Sequence, residues 1–326
     1  MVDVISRRAA LIALAGSLAV LGVPGANAAE TLRVGKAVLQ NFGNMPLNIG
    51  MKYGIFQKEG LEIEELVFAG GAKLTQAMVA GNVDIGLSGG PEMAFTAKGS
   101  PQIAIATIVD SPTFMGISVG NQSTARGIDD LKGKKIGVTS AGSLTYWLVD
   151  ELSRAKGWTN ERDRATPVVI GGNPAAQYAA LRTGSVDATL GGVSVGYQLE
   201  VQKEGRLLLP VSEYVKDIAL FVTFASTAVI QQKPDAVRRF LKGWYDSVGF
   251  MKSHKAETVS LATEVIGYAP PVSERLYDGL ISTFSTDGKF KQKALDKLHA
   301  SFVDLQILDN SVDMSKLYTE EFLPKR

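Results

Sequence analysis

Residues 74–90 of this chain are written a second time at 177–192. The first copy runs from Leu74 through Gly81-Asn82-Val83-Asp84-Ile85-Gly86-Leu87 to Ser88-Gly89-Gly90. The second runs from Gln177 through Gly184-Ser185-Val186-Asp187-Ala188-Thr189-Leu190 to Gly191-Gly192. Gly81 matches Gly184, and at the same offset Val83 matches Val186, Asp84 matches Asp187 and Leu87 matches Leu190. Each copy reads as a helix, a glycine that closes it, a short strand and a glycine-rich turn. A further strand precedes each copy, Leu32–Ala37 before the first and Lys135–Thr139 before the second. The chain is therefore expected to fold as two related α/β units.

The remaining segments alternate in the βα manner. A helix is expected over Pro46–Glu59, closed by Gly60, then a strand over Leu61–Phe68. A short helix over Pro91–Lys98 has proline at its first position. Strands are expected at Gln102–Val109 and Phe114–Val119, and a helix over Leu144–Lys156 closed by Gly157. Ala219–Ile230 is a long β-branched and aromatic run. From Pro234 onward the chain reads as mostly helical, with Val237, Phe240, Leu241, Trp244, Val248 and Met251 on one buried face. This order gives two α/β lobes, each a mixed sheet flanked by helices. Residues 30–116 and 216–326 form lobe one, and residues 117–215 form lobe two. Two crossing strands, near Phe114–Val119 and Ala219–Phe224, join them as a hinge beside a cleft.

Composition closes several routes to chemistry. There is no cysteine, which excludes disulfides, thiolate-held metals and cysteine nucleophiles. Only two histidines are present: His254 reads as surface and His299 lies on an apolar helix, so no metal site and no cofactor is expected. With 34 basic and 33 acidic side chains, there is no charge surplus to hold a nucleic acid. Residues 1–28 have the form of a cleaved export signal. Arg7 and Arg8 precede an uncharged stretch from Ala9 to Val23, Pro24-Gly25 breaks it, and Ala26-Asn27-Ala28 is a cleavage site. Ser6-Arg7-Arg8 fits a twin-arginine signal, although Ala10 stands where a bulky residue is usual, so the general secretory route stays open. The expected product is a soluble periplasmic protein.

In this setting five segments carry a family resemblance. They are Tyr53-Gly54-Ile55-Phe56 with Glu59-Gly60-Leu61, Gly81–Gly86, Leu131-Lys132-Gly133-Lys134-Lys135-Ile136-Gly137-Val138, Gly184–Ala188, and Lys233-Pro234-Asp235-Ala236-Val237-Arg238-Arg239-Phe240-Leu241. In this order the chain resembles the periplasmic substrate-binding proteins of ABC importers, in the branch that binds taurine, alkanesulfonates and nitrate. The resemblance implies a type II periplasmic binding protein fold, a non-catalytic and usually monomeric receptor, and as partners a membrane permease with its ATPase. It also implies an enzymatic alternative, because the pyrimidine synthases of thiamine biosynthesis are similar. Those rely on a cysteine-rich segment that this chain lacks. A sensor role, feeding a membrane receptor instead of a permease, has the same binding physics.

Open α/β sheets place ligands at the carboxyl ends of their strands. Thr139, Ser140, Gly142, Ser143 and Thr145 follow a strand and open a helix, where N–H groups, hydroxyls and the helix dipole favour an anion. Ser88, Gly89 and Gly90 form the equivalent turn of lobe one. Asn41, Phe42 and Asn44 follow the first strand, Thr113 precedes the first crossing, and Ser194 lies in the turn after the second copy. Tyr146, Tyr197 and Phe221 are further wall candidates, and Lys36 is the one cation placed near the cleft. These residues favour a small organic anion of sulfonate or carboxylate type. Glu92 points the other way if it faces inward. It then repels an anion and favours an amine or a neutral heterocycle, such as a pyrimidine precursor.

Overall fold

The computed structural model describes residues 29–39 and 41–325; the export signal expected at 1–28 lies outside them. The chain first lays down β1 (Glu30–Lys36), β2 (Leu61–Val67), β3 (Ile85–Gly89) and β4 (Gln102–Val109). It then crosses to a second sheet made of β5 (Met115–Gly120), β6 (Lys135–Val138), β7 (Thr166–Val169), β8 (Ala188–Gly192) and β9 (Gly205–Pro210). It returns with β10 (Phe221–Ser226) to the first. The strand orders are β2-β1-β3-β10-β4 and β7-β6-β8-β5-β9. In each sheet three parallel strands are followed by one that runs antiparallel to both its neighbours, β10 in the first sheet and β5 in the second. Each of these strands is the first that the chain forms after a crossing. The two crossings, residues 110–114 and 211–220, each contain a short 3-10 turn, at Pro112–Phe114 and Val211–Glu213.

The repeated segment has a physical cause in both copies. Its helix is α3 (Gly71–Val79) in the first and α6 (Pro174–Thr183) in the second. Gly81 and Gly184 follow with φ of 73° and 69°, a left-handed conformation that side chains resist. Val83 and Val186 are buried, as are Leu87 and Leu190. The matched aspartates anchor the neighbouring strand. Asp84 Oδ2 accepts from the Arg33 backbone N–H at 2.9 Å, and Asp187 Oδ2 from that of Lys135 at 2.8 Å. In return the Asp84 and Asp187 N–H groups donate to the carbonyls of Arg33 and Lys135. The repeat thus ties its aspartate to the middle of β1 in the first copy and to the first residue of β6 in the second.

Elsewhere the helices fall close to their sequence signals, with two corrections. The helix expected over Pro46–Glu59 is two, α1 (Met45–Lys52) and α2 (Ile55–Lys58), because Gly54 takes φ of 68° between them. The run Ala219–Ile230 is a strand only as far as Ser226. The Ser226 hydroxyl accepts from the Val229 N–H and starts α8 (Thr227–Gln232). The short helix at Pro91–Lys98 is a 3-10 turn over Gly90–Glu92 leading into α4 (Met93–Ala97), and α5 covers Leu144–Ala155. A helix α7 (Val193–Gln202) opens directly from the end of β8. The C-terminal part is α9 (Pro234–Ser253), α10 (Lys255–Ile266), α11 (Pro270–Leu280) and α12 (Gln292–Asp304). The apolar stripe expected on α9 is fully buried, with none of its six side chains above 1% exposure.

Two C-terminal helices reach across to the second sheet's helices. Glu151 on α5 is fully buried and pairs with Arg154 at 2.6 Å and with Lys297 of α12 at 3.0 Å; it also accepts from Ser301 at 2.8 Å. Burial pushes its carboxyl pKa up, but these partners outweigh burial and hold it below the ordinary value. Arg275 of α11 pairs with Glu200 of α7 at 2.7 Å and lies 3.5 Å from the Tyr197 ring centroid.

Candidate functional site

The carboxyl ends of β1, β3, β6 and β8 converge between the two sheets, as open α/β topology requires. There they enclose a narrow cavity of about 70 Å³. Its walls are unusually bare. Gly70, Gly71, Gly89, Gly172, Gly191 and Gly192 all line it. Several hold their places because no Cβ would fit. A Cβ on Gly70, whose φ is 109°, would collide with Ser140 Oγ, and one on Gly71 with Glu92 Oε1. A Cβ on Gly89 would lie 2.7 Å from Leu144, and one on Gly172 would lie 3.0 Å from Val38. Three of these pairs (Gly70–Ser140, Gly89–Leu144, Gly172–Val38) bring together residues of the two lobes. Glycine therefore sets how closely the lobes approach.

Glu92 dominates the site electrostatically. It leaves the 3-10 turn after β3, and its side chain is 1% exposed. Its Oε1 accepts from the Leu144 N–H at 3.1 Å. Leu144 is the first residue of α5, so a lobe-one carboxylate caps a lobe-two helix. The other oxygen, Oε2, is buried with no hydrogen-bond partner. Burial raises the Glu92 pKa to about 7, against the lowering effects of the Leu144 N–H and, after it, of the Glu92 N–H, the Ser88 hydroxyl and the Gly89 N–H around the carboxyl. Among the described residues, no Lys, Arg or His lines the cavity. Lys36, the expected cation, is buried and pairs with Glu65 outside the lining.

Of the residues expected at the site, Asn41, Ser88, Gly89, Thr139, Ser143, Thr145 and Ser194 line the cavity. The three hydroxyls at the start of α5 satisfy one another: Thr139 Oγ1 lies 2.9 Å from both Ser143 Oγ and Thr145 Oγ1. Ser143 Oγ also donates to the Ser140 carbonyl at 2.7 Å. Ser140 is not on the wall, but its hydroxyl is buried without a partner against Gly70. Asn41 is half committed, because its Oδ1 accepts from the Gly43 N–H.

The other candidates lie outside the lining. Phe42 is core, with ring centroids 6.5 Å from Phe114 and 6.1 Å from Phe284. Asn44 is buried at the start of α1. The Gly90 N–H is taken by the Leu220 carbonyl. Thr113 bonds to Ser111 in the first crossing at 2.7 Å, and Gly142 faces Phe95. Tyr197 lies under Arg275, Phe221 packs on Phe114, and Tyr146 is not on the wall either. No aromatic side chain lines the cavity among the described residues.

Sequence reasoning missed Gln177, Gly70, Gly71, Gly172 and Met115 as lining residues. Gln177 opens the second copy of the repeat, and that position was its signal. It is 5% exposed, and its Oε1 is buried without a partner beside Gly191.

Known proteins share this architecture. A Bacillus subtilis protein named for aliphatic sulfonate binding is 27% identical over 313 residues, covering 88% of this chain and 91% of that protein. A 4-amino-5-hydroxymethyl-2-methylpyrimidine phosphate synthase of Saccharomyces cerevisiae is 26% identical over 250 residues, covering 72% of this chain and 69% of its own. The structure of the alkanesulfonate-binding protein SsuA of Xanthomonas axonopodis bound to MOPS superposes with a TM-score of 0.72 at 21% identity, covering 89% of this chain and 98% of that one. That likeness shows the fold to be of the type II periplasmic binding protein kind. Residues 41–258, more than half of the sequence, match the family described as NMT1/THI5 like, and the chain belongs to that family.

Proposed function

We propose that the protein is the solute-binding component of an ABC-type importer in the periplasm, holding a small ligand between its lobes for delivery to a membrane permease. The cavity at the carboxyl ends of both sheets supports a binding role, as does the name of the sulfonate-binding relative. The lack of cysteine supports a non-catalytic one. For the ligand, the observation that carries the reading is the Glu92 carboxyl, buried on the cavity wall with Oε2 unpartnered and, among the described residues, no cation on the lining. A buried carboxylate repels an anion and gains from a donor. The proposed ligand is therefore an amine-bearing or neutral nitrogenous molecule with N–H donors, and not the sulfonate or carboxylate that the hydroxyl cluster suggests from sequence.

One observation favours the anion reading. The first N–H of α5 opens on this cavity, and an anion could take the place that Glu92 Oε1 holds there. A thermal-shift screen of wild type and Glu92→Gln separates the two. A ligand at 100 times its dissociation constant adds about 2.7 kcal/mol. Amines or neutral nitrogen heterocycles are expected to raise the melting temperature of the wild type, and to do so much less in the variant. A rise with sulfonates that grows in Glu92→Gln overturns the donor reading in favour of the anion.

A further inference from the structure

Glu92 and Gln177 face one cavity from opposite lobes, and each presents an unpartnered buried oxygen. Glu92 comes from the turn after β3, Gln177 from α6, which leads into β8. Both side chains are more than nine-tenths buried. An unpaired buried acceptor is costly, so a pair of them on one cavity marks two points at which a ligand donates. The cavity they share is only about 70 Å³, which suits a small, compact group. We infer that the site takes a planar guanidine-type ligand, with N–H groups on one edge donating to Glu92 Oε2 and N–H groups on another donating to Gln177 Oε1. The inference rests on the donor reading above and adds to it the second contact and the ligand's shape.

This geometry makes Gln177 a specificity residue. A point donor such as methylammonium satisfies Glu92 alone. A guanidinium has rigid N–H forks on several edges and satisfies both lobes at once. Sites built around a ligand's hydrogen bonds reject analogues that leave a buried partner unpaired.

Calorimetric titration of the protein with methylguanidine and with methylamine tests this, using wild type, Glu92→Gln, Gln177→Met and Gln177→Glu. Methylguanidine is expected to bind the wild type at least about tenfold more tightly than methylamine, the worth of one further buried hydrogen bond. Gln177→Met is expected to weaken methylguanidine about tenfold and methylamine less than about threefold. Gln177→Glu keeps an acceptor at that position and is expected to restore methylguanidine binding, which separates a lost contact from a damaged fold. Glu92→Gln is expected to weaken both probes. If Glu92→Gln weakens both but Gln177→Met leaves methylguanidine as in wild type, the second contact is wrong while the donor reading stands. If neither probe binds, or binding ignores Glu92→Gln, the donor reading fails and this inference with it.

Discussion

A glutamate whose pKa is lifted to about 7 holds its proton where an unfolded glutamate has lost it. Between the ordinary carboxyl value and pH 7 the folded state of this protein binds one more proton at Glu92 than the unfolded state does. Stability contributed by that difference is present at low pH and is lost as pH rises through 7. The shift from 4.5 to about 7 corresponds to about 3 kcal/mol. Urea unfolding of wild type and Glu92→Gln at pH 5 and pH 8 checks it. The wild type is expected to lose up to about 3 kcal/mol relative to the variant between the two values. A difference that stays flat with pH contradicts an uncharged Glu92 at pH 5. At this scale the sequence was only partly legible. Thr139 and Ser194 follow strand ends and Ser88 is the last residue but one of β3, and the strand-end rule finds all three. Gly70 is brought to the site by contact with Ser140 of the other lobe, which no local pattern encodes, and Gln177 carries only its place at the start of the repeat's second copy.

Helices and strands were more legible, because each carries its own stop signals. The repeat announced α3, β3, α6 and β8, and the Asp84 and Asp187 bonds account for why its aspartates recur. Two boundaries were not readable from pattern. Gly54 breaks a helix that the apolar spacing continues, and Ser226 turns a β-branched run into a helix by capping it. The two aspartates provide a matched pair of tests. Asp84 is half-buried and also pairs with Arg33 at 2.7 Å, whereas Asp187 is exposed. Asp84→Ala is therefore expected to cost about 2 kcal/mol and Asp187→Ala about half that, since hydrogen bonds to charged groups gain in worth with burial. Urea midpoints of the two variants check the order. Equal costs would mean that the bond to the strand is the whole contribution and that the Arg33 pair adds nothing.

For the whole molecule, the two-lobed architecture followed from the order of α and β signals. The ties between its parts did not, because Glu151 and Lys297 are distant in sequence and neither stands in a motif. Glu151 is the centre of the tie between α5 and α12. Removing one member of a buried ionic cluster leaves the rest unpaired, and Glu151→Ala is expected to cost about 3 kcal/mol. Its distinguishing sign is local: amide exchange is expected to quicken across residues 292–304 and to stay slow in α9. Exchange that quickens uniformly would make Glu151 a general core residue instead of the fastening of one helix.

The strand orders also carry a consequence for synthesis. The second sheet is built from one unbroken stretch, residues 115–210, and every strand it needs has been synthesised once β9 is made. The first sheet is different. Its strands β3 and β4 are made early but are not neighbours, and the strand between them is β10, whose last residue is Ser226. The part of the chain that is translated first is therefore completed last, and a nascent chain that stops before Phe221 lacks the strand that joins β4 to the rest of the first sheet.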